Sequence, residues 1–140
     1  MLAKVKKASK VDEGRINEML SMVSSEIDQF GIQYFLLENE NDILLGIIGI
    51  QSLEDGTNQL RPLVMKKECT HSQLIEFLGV VVLYSEQMKV EELVVNLSSF
   101  VLKEVFELFG FVDVSHLKEY KEKYPSSLLI LKRECTNISD

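Results

Sequence analysis

Apolar residues recur at helical spacing in the first thirty positions of the chain. The repeating positions are Ile16, Met19, Leu20, Val23, Ile27 and Phe30. This spacing predicts an amphipathic helix with one buried face. A short strand over Ala3 to Ala8 is predicted before it. Ser9 with Asp12, or Asp12 alone, suits the start of the helix, and Gly31 suits the left-handed position just past its end.

From Ile32 the apolar residues fall into three runs separated by turn-forming residues. The runs are IQYFLLE, ILLGIIGIQSL and QLRPLVM, and the spacers are NEND and EDGTN. This pattern predicts three antiparallel strands in a meander. Pro62 cannot donate to a strand ladder, so the third strand is expected at a sheet edge, or with a bulge or opening. Gly46 and Gly49 mark either a bulge or a close backbone approach.

The second half of the chain alternates helical and strand patterns. Ser72 to Lys89 predicts a helix that is apolar on most faces and therefore largely buried, although Val80 to Val82 also favour a strand. A short buried strand, EELVVNL, follows, and then a helix from about Ser99 to Phe109 that stops at Gly110. The segments FVDV and SLLILKR predict a closing pair of strands.

Composition limits the class of protein. With 140 residues, 46% hydrophobic and 26% charged, the chain is expected to form a single domain over residues 1–140, with a core over about 3–132 and a short polar C-terminal tail. A formal charge of -7 argues against nucleic acid and against an anionic membrane as partners. The apolar stretches fall short of the ~20 residues that a bilayer span needs. Two distant cysteines and a start without a signal peptide predict a cytoplasmic protein.

The order of these elements resembles the GNAT superfamily of acetyl-CoA-dependent N-acetyltransferases. Two segments carry the resemblance further: EVFELFGF, residues 104–111, is similar to the Tyr-Glu-x-x-Gly-Phe ending of that family's last helix, and LVMKKECTHSQLIEFL occupies the place of its cofactor loop. The resemblance implies an α+β fold, GNAT-like, with a mixed, mainly antiparallel sheet and helices on both faces. It also implies that the fourth and fifth strands splay to leave a cleft.

The resemblance implies a cofactor site on these elements. Acetyl-CoA would lay its pantetheine arm along Leu63, Val64 and Met65, with its phosphates at the turn after them. Asn96 either faces the cofactor, ends its strand or caps the next helix. The turn residues are Thr70, His71, Ser72, Gln73, Leu74 and Ile75. The family pattern Arg/Gln-x-x-Gly-x-Gly/Ala falls on Thr70, Gln73 and Ile75, so this chain has larger residues in place of both glycines. Phe106 stands where many members carry a Tyr acid.

The residues of this turn have a simpler interpretation. Thr70-His71-Ser72-Gln73 matches a capping box, in which a Thr hydroxyl and a Gln side chain satisfy the first backbone groups of a helix. His71 suits a surface position as well as a phosphate contact, and Cys69 suits a small, partly buried side chain better than a nucleophile. His116 lacks partners at metal-ligand spacing, so no metal site is predicted.

Two hypotheses follow. The first is an enzyme that transfers an acetyl group from acetyl-CoA to a small amine or a protein amino group. The second is a GNAT-fold binding or regulatory module that has lost the cofactor site. No catalytic residue is assigned: Glu38 and Glu54 are available as bases, but both lie near turn signals, which favours solvated turn residues. Exposed edge strands leave a homodimer open.

Overall fold

The computed structural model of the protein describes residues 3–21, 31–52, 57–97, 100–114 and 127–132. The strands are β1 (Ala3–Lys7), β2 (Ile32–Asn39), β3 (Leu44–Ser52), β4 (Asn58–Met65), β5 (Glu92–Leu97), β6 (Val112–Asp113) and β7 (Ser127–Lys132). The helices are α1 (Glu13–Leu20), preceded by a 3-10 turn at Lys10–Asp12, α2 (His71–Gln87) and α3 (Phe100–Leu108). The predicted continuation of α1 toward Phe30 lies outside the described residues.

The strands form one sheet in the order β1-β2-β3-β4-β5-β7-β6. Strands β1 to β4 pair antiparallel with their sequence neighbours, which confirms the predicted meander. Strand β7 pairs antiparallel with both β5 and β6, and β4 with β5 is the parallel pairing. The sheet is therefore mixed and mainly antiparallel, and the α+β prediction is confirmed.

Helices pack on both faces of this sheet. On one face, α2 and α3 bury Phe77, Leu78, Val81, Val105 and Phe106 in a core with apolar residues of β2 to β5 and β7. On the other face, α1 packs its own apolar stripe against β2, β3 and β4. Because successive side chains of a strand point to opposite faces, the same strands supply both cores.

Strand β4 carries a bulge at the proline that the sequence singled out. Ile48 pairs with Leu63 and Ile50 with Leu60, so Arg61 and Pro62 together oppose the single residue Gly49. The bulge alternative is confirmed and the edge alternative is wrong, because β4 lies between β3 and β5. A Cβ at Gly49 would lie 2.7 Å from the Arg61 carbonyl oxygen, so only glycine permits this approach of the two strands.

Helix α2 is less buried than its sequence predicts. Val81 is fully buried, but Leu83 is 58% exposed and Val80 and Val82 are half-buried. The prediction of a largely buried helix is thus wrong for the outer flank of α2, because one layer of helix over a sheet buries only the stripe that faces the strands. Gly110, which follows α3, has a positive φ of 92°, as its expected position after a helix requires. Gly31 also has a positive φ, of 74°, and the helix end predicted before it lies outside the described residues.

Candidate functional site

The central feature of the molecule is an opening between β4 and β5. Their parallel ladder holds two residue pairs, Asn58 with Leu93 and Gln59 with Val94. Beyond these pairs β4 continues to Met65 and β5 to Leu97 without pairing to each other. The two strands therefore diverge, as expected, and their facing backbone edges lie open in the middle of the sheet.

The three predicted arm-binding residues of β4 point to different faces. Leu63 and Met65 pack against the core under α2 and α3, while Val64 is buried in the core under α1. The Met65 side chain lies over Gly46 of the neighbouring strand, which leaves room for it because glycine has no Cβ. Leu63 is therefore the predicted residue best placed to line the opening on the helix-covered side.

The start of α2 is a complete capping box, as predicted. The Thr70 hydroxyl accepts from the Gln73 backbone N-H at 3.1 Å, and the Gln73 side-chain oxygen accepts from the Thr70 backbone N-H at 2.8 Å. These bonds use backbone groups that a phosphate would otherwise contact. The backbone N-H groups of His71 and Ser72 have no hydrogen-bond acceptor in the described part of the chain. These two donors face outward at the positive end of the helix.

A groove of about 540 Å³ separates the start of α2 from α3. It is lined by His71, Glu104, Val105, Glu107 and Leu108. The two carboxylates place negative charge beside the helix start, which opposes binding of an anion there. Sequence reasoning gave these acids no role, although their i, i+3 spacing on a predicted helix shows that they share one face.

Two other predicted site residues lie away from this turn. Ile75 lines a separate groove with Ala3, Val5 and other residues on the outer flank of α2, next to β1. Asn96 is exposed and alternates with Val95, which belongs to the α2 core, so it points to the opposite face of the sheet. The structure thus places His71, Ser72 and the capping pair together and separates them from Ile75 and Asn96.

The groups considered for acid and base chemistry are constrained by their surroundings. Phe106 is buried, and its ring meets the Phe111 ring edge-on with centroids 5.0 Å apart. Burial raises the pKa of the Cys69 thiol, which favours the unreactive protonated form. Glu54 and His116 lie outside the described residues.

Glu38 is not the solvated turn residue that the sequence suggested. Its side chain is 3% exposed and accepts from the Arg15 guanidinium at 2.7 Å. The same guanidinium bonds Asp12, also 3% exposed, at 2.7 Å, and the Lys6 ammonium lies 3.3 Å from Asp12. Glu38 is therefore held in a structural ion cluster, and the prediction failed because the register of β1 with β2, not local sequence, brings these groups together.

Charge and hydrogen bonding shift the pKa values of this cluster. The Ser9 backbone N-H, followed by Arg15 and Lys6, holds the pKa of Asp12 well below its usual range. The two carboxylates in turn raise the pKa of Arg15. Among the described residues, no group of three or more His, Cys, Asp or Glu side chains is arranged to hold a metal ion. Likewise, none of the described helices is long and apolar enough to cross a membrane.

Comparison with known proteins identifies the architecture through structure, not sequence. No protein-family model matches the chain, and no curated protein matches its sequence significantly. Among solved structures, the chain is similar to an N-acetyltransferase from Staphylococcus aureus Mu50, with a TM-score of 0.71 and 14% identity over 94% of this chain and 98% of that one. The indicated relationship is one of fold.

Two further solved structures give the same result. IAA acetyltransferase from Bacillus cereus ATCC 14579 has a TM-score of 0.71 at 10% identity, over 94% of this chain and 100% of that one. A GNAT family acetyltransferase from Elizabethkingia anophelis with acetyl-CoA bound has a TM-score of 0.63 at 12% identity, over 94% and 98% of the two chains. At these identities the similarity establishes a shared fold and leaves the activity to be argued from the site.

Proposed function

From the GNAT acetyltransferase fold that this chain adopts, we propose that the protein binds the pantetheine arm of acetyl-CoA between β4 and β5 and transfers the acetyl group to an amine. The observation that carries the proposal is the ladder of only two residue pairs between these strands. The acceptor is a small amine or a protein amino group. The proposal includes a cytoplasmic location, and the net charge of -7 supports a role away from nucleic acid and anionic membranes.

The opening suits an extended ligand that carries amide groups. Open strand edges present rows of backbone N-H and C=O groups, and an added extended chain satisfies them as another strand would. Pantetheine is such a chain, with two amides along its length. Leu63 would cover its apolar parts from the side of α2, and the β4 bulge at Arg61 and Pro62 marks where the opening narrows toward the paired end.

The site for the phosphates of the ligand is weaker than the site for its pantetheine arm. The free N-H groups of His71 and Ser72 favour an anion at the start of α2. The capping box occupies the next donor, and the carboxylates of Glu104 and Glu107 line the adjacent groove. We therefore expect the arm to supply most of the binding free energy and the nucleotide to supply little.

The reactive group of acetyl-CoA is a thioester. The described residues of this chain promote its reaction by holding it in position beside the amine. In the transfer, the amine nitrogen bonds to the acetyl carbon, the bond from that carbon to sulphur breaks, and the amine proton leaves to water. Phe106 has no proton to give the departing thiolate and Glu38 is bound by Arg15. The rate enhancement is accordingly assigned to proximity and orientation in the opening.

A second function is favoured by a specific observation. The capping box stands where the resemblance implies a phosphate-binding loop. The buried Phe106 ring, which packs against Phe111, stands where it implies a general acid. A GNAT-fold binding or regulatory module without the cofactor would need neither. The two functions differ in whether acetyl-CoA binds at all.

A thermal-shift titration separates them. A ligand present at 100 times its Kd stabilises the folded state by about 2.7 kcal/mol, which corresponds to a rise in Tm of about 9 °C for a chain of this length. Acetyl-CoA is expected to produce such a shift, and adenosine 3′,5′-bisphosphate, which lacks the arm, is expected to produce almost none. The matched variants are Leu63→Trp, which fills the opening, and Leu63→Met, which keeps its volume.

A shift with acetyl-CoA that survives in Leu63→Met and disappears in a folded Leu63→Trp supports the proposed site. Release of free thiol from acetyl-CoA in the presence of an amine then tests transfer. No shift at millimolar acetyl-CoA would sink the enzyme proposal and leave the regulatory module.

A further inference from the structure

The outer edge of β1 and the groove beside it form a surface for another molecule. Among the described strands, β1 is the outermost on its side of the sheet. We propose that two copies of this chain pair antiparallel through β1, about a twofold axis at Val5, so that one sheet runs through both copies. This interface is independent of the acetyl-CoA site.

The hydrogen-bonding pattern leaves the right backbone groups free. The Ala8 N-H donates to the Tyr34 carbonyl at 2.9 Å, which fixes the alternation along β1. Because antiparallel strands bond through every second residue, Lys4 and Lys6 bond inward to β2, and Ala3 and Val5 present their N-H and C=O groups outward. Within the described ranges, neither Ala3 nor Val5 has a hydrogen bond on that outward side.

Lys4 and Lys6 do not protect the edge of this strand from self-association. Edge strands commonly avoid self-association with lysine side chains that carry uncompensated charge. Here Lys4 binds the Asp42 carboxylate, and Lys6 lies 3.3 Å from Asp12 and 3.8 Å from Glu38. In the proposed pair, Lys4 of one copy lies opposite Lys6 of the other, and these carboxylates offset the repulsion.

An apolar groove of about 660 Å³ runs beside the edge, on the face that carries Ala3 and Val5. The outer flank of α2 supplies much of its lining, including Ile75 and the exposed Leu83. Exposed apolar surface of this kind, next to an open strand edge, is typical of an interface. A second copy that packs against this groove would cover the exposed flank of α2.

Charge complementarity selects a second copy as the occupant. With the axis at Val5, Lys7 of the second copy lies opposite Ala3 and on the same face, because Ala3, Val5 and Lys7 alternate together. Its side chain then enters the groove, where Glu76 is the one carboxylate among the described lining residues. The apolar stem of Lys7 would cover the groove wall and its ammonium would reach Glu76, twice in each pair.

The test uses the full chain, light scattering after size exclusion, and charge reversal at two exposed positions. The wild type is expected at twice the 16.0 kDa chain mass when loaded at about 100 μM. Lys7→Glu alone should shift it to the monomer mass, because like charges then meet in the groove. Lys7→Glu combined with Glu76→Lys should restore the dimer, because the two opposite charges exchange places and still attract each other.

A second pair of variants tests the backbone contact. Val5→Pro removes an outward N-H and should yield a monomer, whereas Val5→Ala loses a similar packing contact, keeps the N-H and should stay dimeric. Circular dichroism confirms that each variant is folded. A wild type that is monomeric at this concentration, or a double charge variant that stays monomeric beside a dimeric wild type, would overturn the proposal. Failure of acetyl-CoA to bind would not affect it.

Discussion

Arg15→Met removes the group that joins two buried carboxylates across the α1 face of the sheet. Arg15 bonds both Asp12 and Glu38 at 2.7 Å, and each carboxylate is 3% exposed. Removing one partner of a buried ion pair costs about 3–5 kcal/mol, because the remaining charge stays out of water. The Arg15 side chain is 35% exposed and Lys6 remains near both acids, so we expect the low end, about 3 kcal/mol.

The effect of this substitution should depend on pH with a definite sign. The pKa of Asp12 is lowered in the folded state, chiefly by the Ser9 N-H and then by Arg15 and Lys6. Its ionised form therefore stabilises the fold above the unfolded value of about 3.9, and this stabilisation is lost as the pH falls toward the lowered folded value. In Arg15→Met the Ser9 and Lys6 contacts remain, so the folded pKa of Asp12 rises only part of the way toward normal. The difference from wild type should therefore shrink only as the pH falls below this raised folded value.

Urea unfolding at pH 7 and at pH 3 measures both effects. The matched control is Lys4→Met, which removes a cation that is 55% exposed, lies 4.0 Å from Glu38 and pairs mainly with the exposed Asp42. A pair between exposed side chains contributes about 0–1 kcal/mol. A loss at pH 7 for Arg15→Met no larger than that of Lys4→Met, or a loss that increases when the pH is lowered to 3, would contradict this role of Arg15.

Three further substitutions test other features of the fold by the same unfolding measurement. Gly49→Ala should cost about 2 kcal/mol more than Gly46→Ala, because the new Cβ meets the rigid Arg61 carbonyl at Gly49 and mainly the flexible Met65 thioether at Gly46; equal losses would contradict this. Tyr34→Phe should stabilise the protein by about 1 kcal/mol, because the buried Tyr34 hydroxyl has no hydrogen-bond partner among the described residues. That gain should grow above pH 10, since burial raises the pKa of the Tyr34 phenol and the unfolded chain ionises first; a loss of stability at either pH would contradict it. Thr70→Ala should cost about 1 kcal/mol through loss of the helix cap, and a similar loss in Thr70→Ser, which keeps the hydroxyl, would show that the cap is not the cause.

Features encoded by residues close in sequence were predictable. The meander follows from turn residues between apolar runs, and the capping box from Thr70 and Gln73 three positions apart. Each depends on local backbone chemistry, which the sequence displays directly. Pro62 limited β4 to an edge, a bulge or an opening, and the assembled sheet selects the bulge. The order of these elements, together with the segments EVFELFGF and LVMKKECTHSQLIEFL, indicated the GNAT fold.

Features that depend on strand register were not predictable in the same way. Glu38 joins Arg15, 23 positions away, only because β2 places it opposite Lys4. The face on which Asn96 lies and the flank on which Ile75 lies likewise depend on how a strand or helix is rotated in the assembled core. A family pattern aligns positions along the chain, but it does not state which way a replaced side chain points.

The short ladder between β4 and β5 has a mechanical consequence. It divides the sheet into four-stranded and three-stranded halves that backbone hydrogen bonds connect at one end only. On one face, α2, α3 and the core beneath them bridge both halves, so side-chain packing there sets the angle between them. Substitutions in the core under these helices, at positions such as Phe77 and Leu93, would therefore change the angle between the two half-sheets. The distance between them would widen or narrow, while the hydrogen bonds within each half-sheet would stay intact.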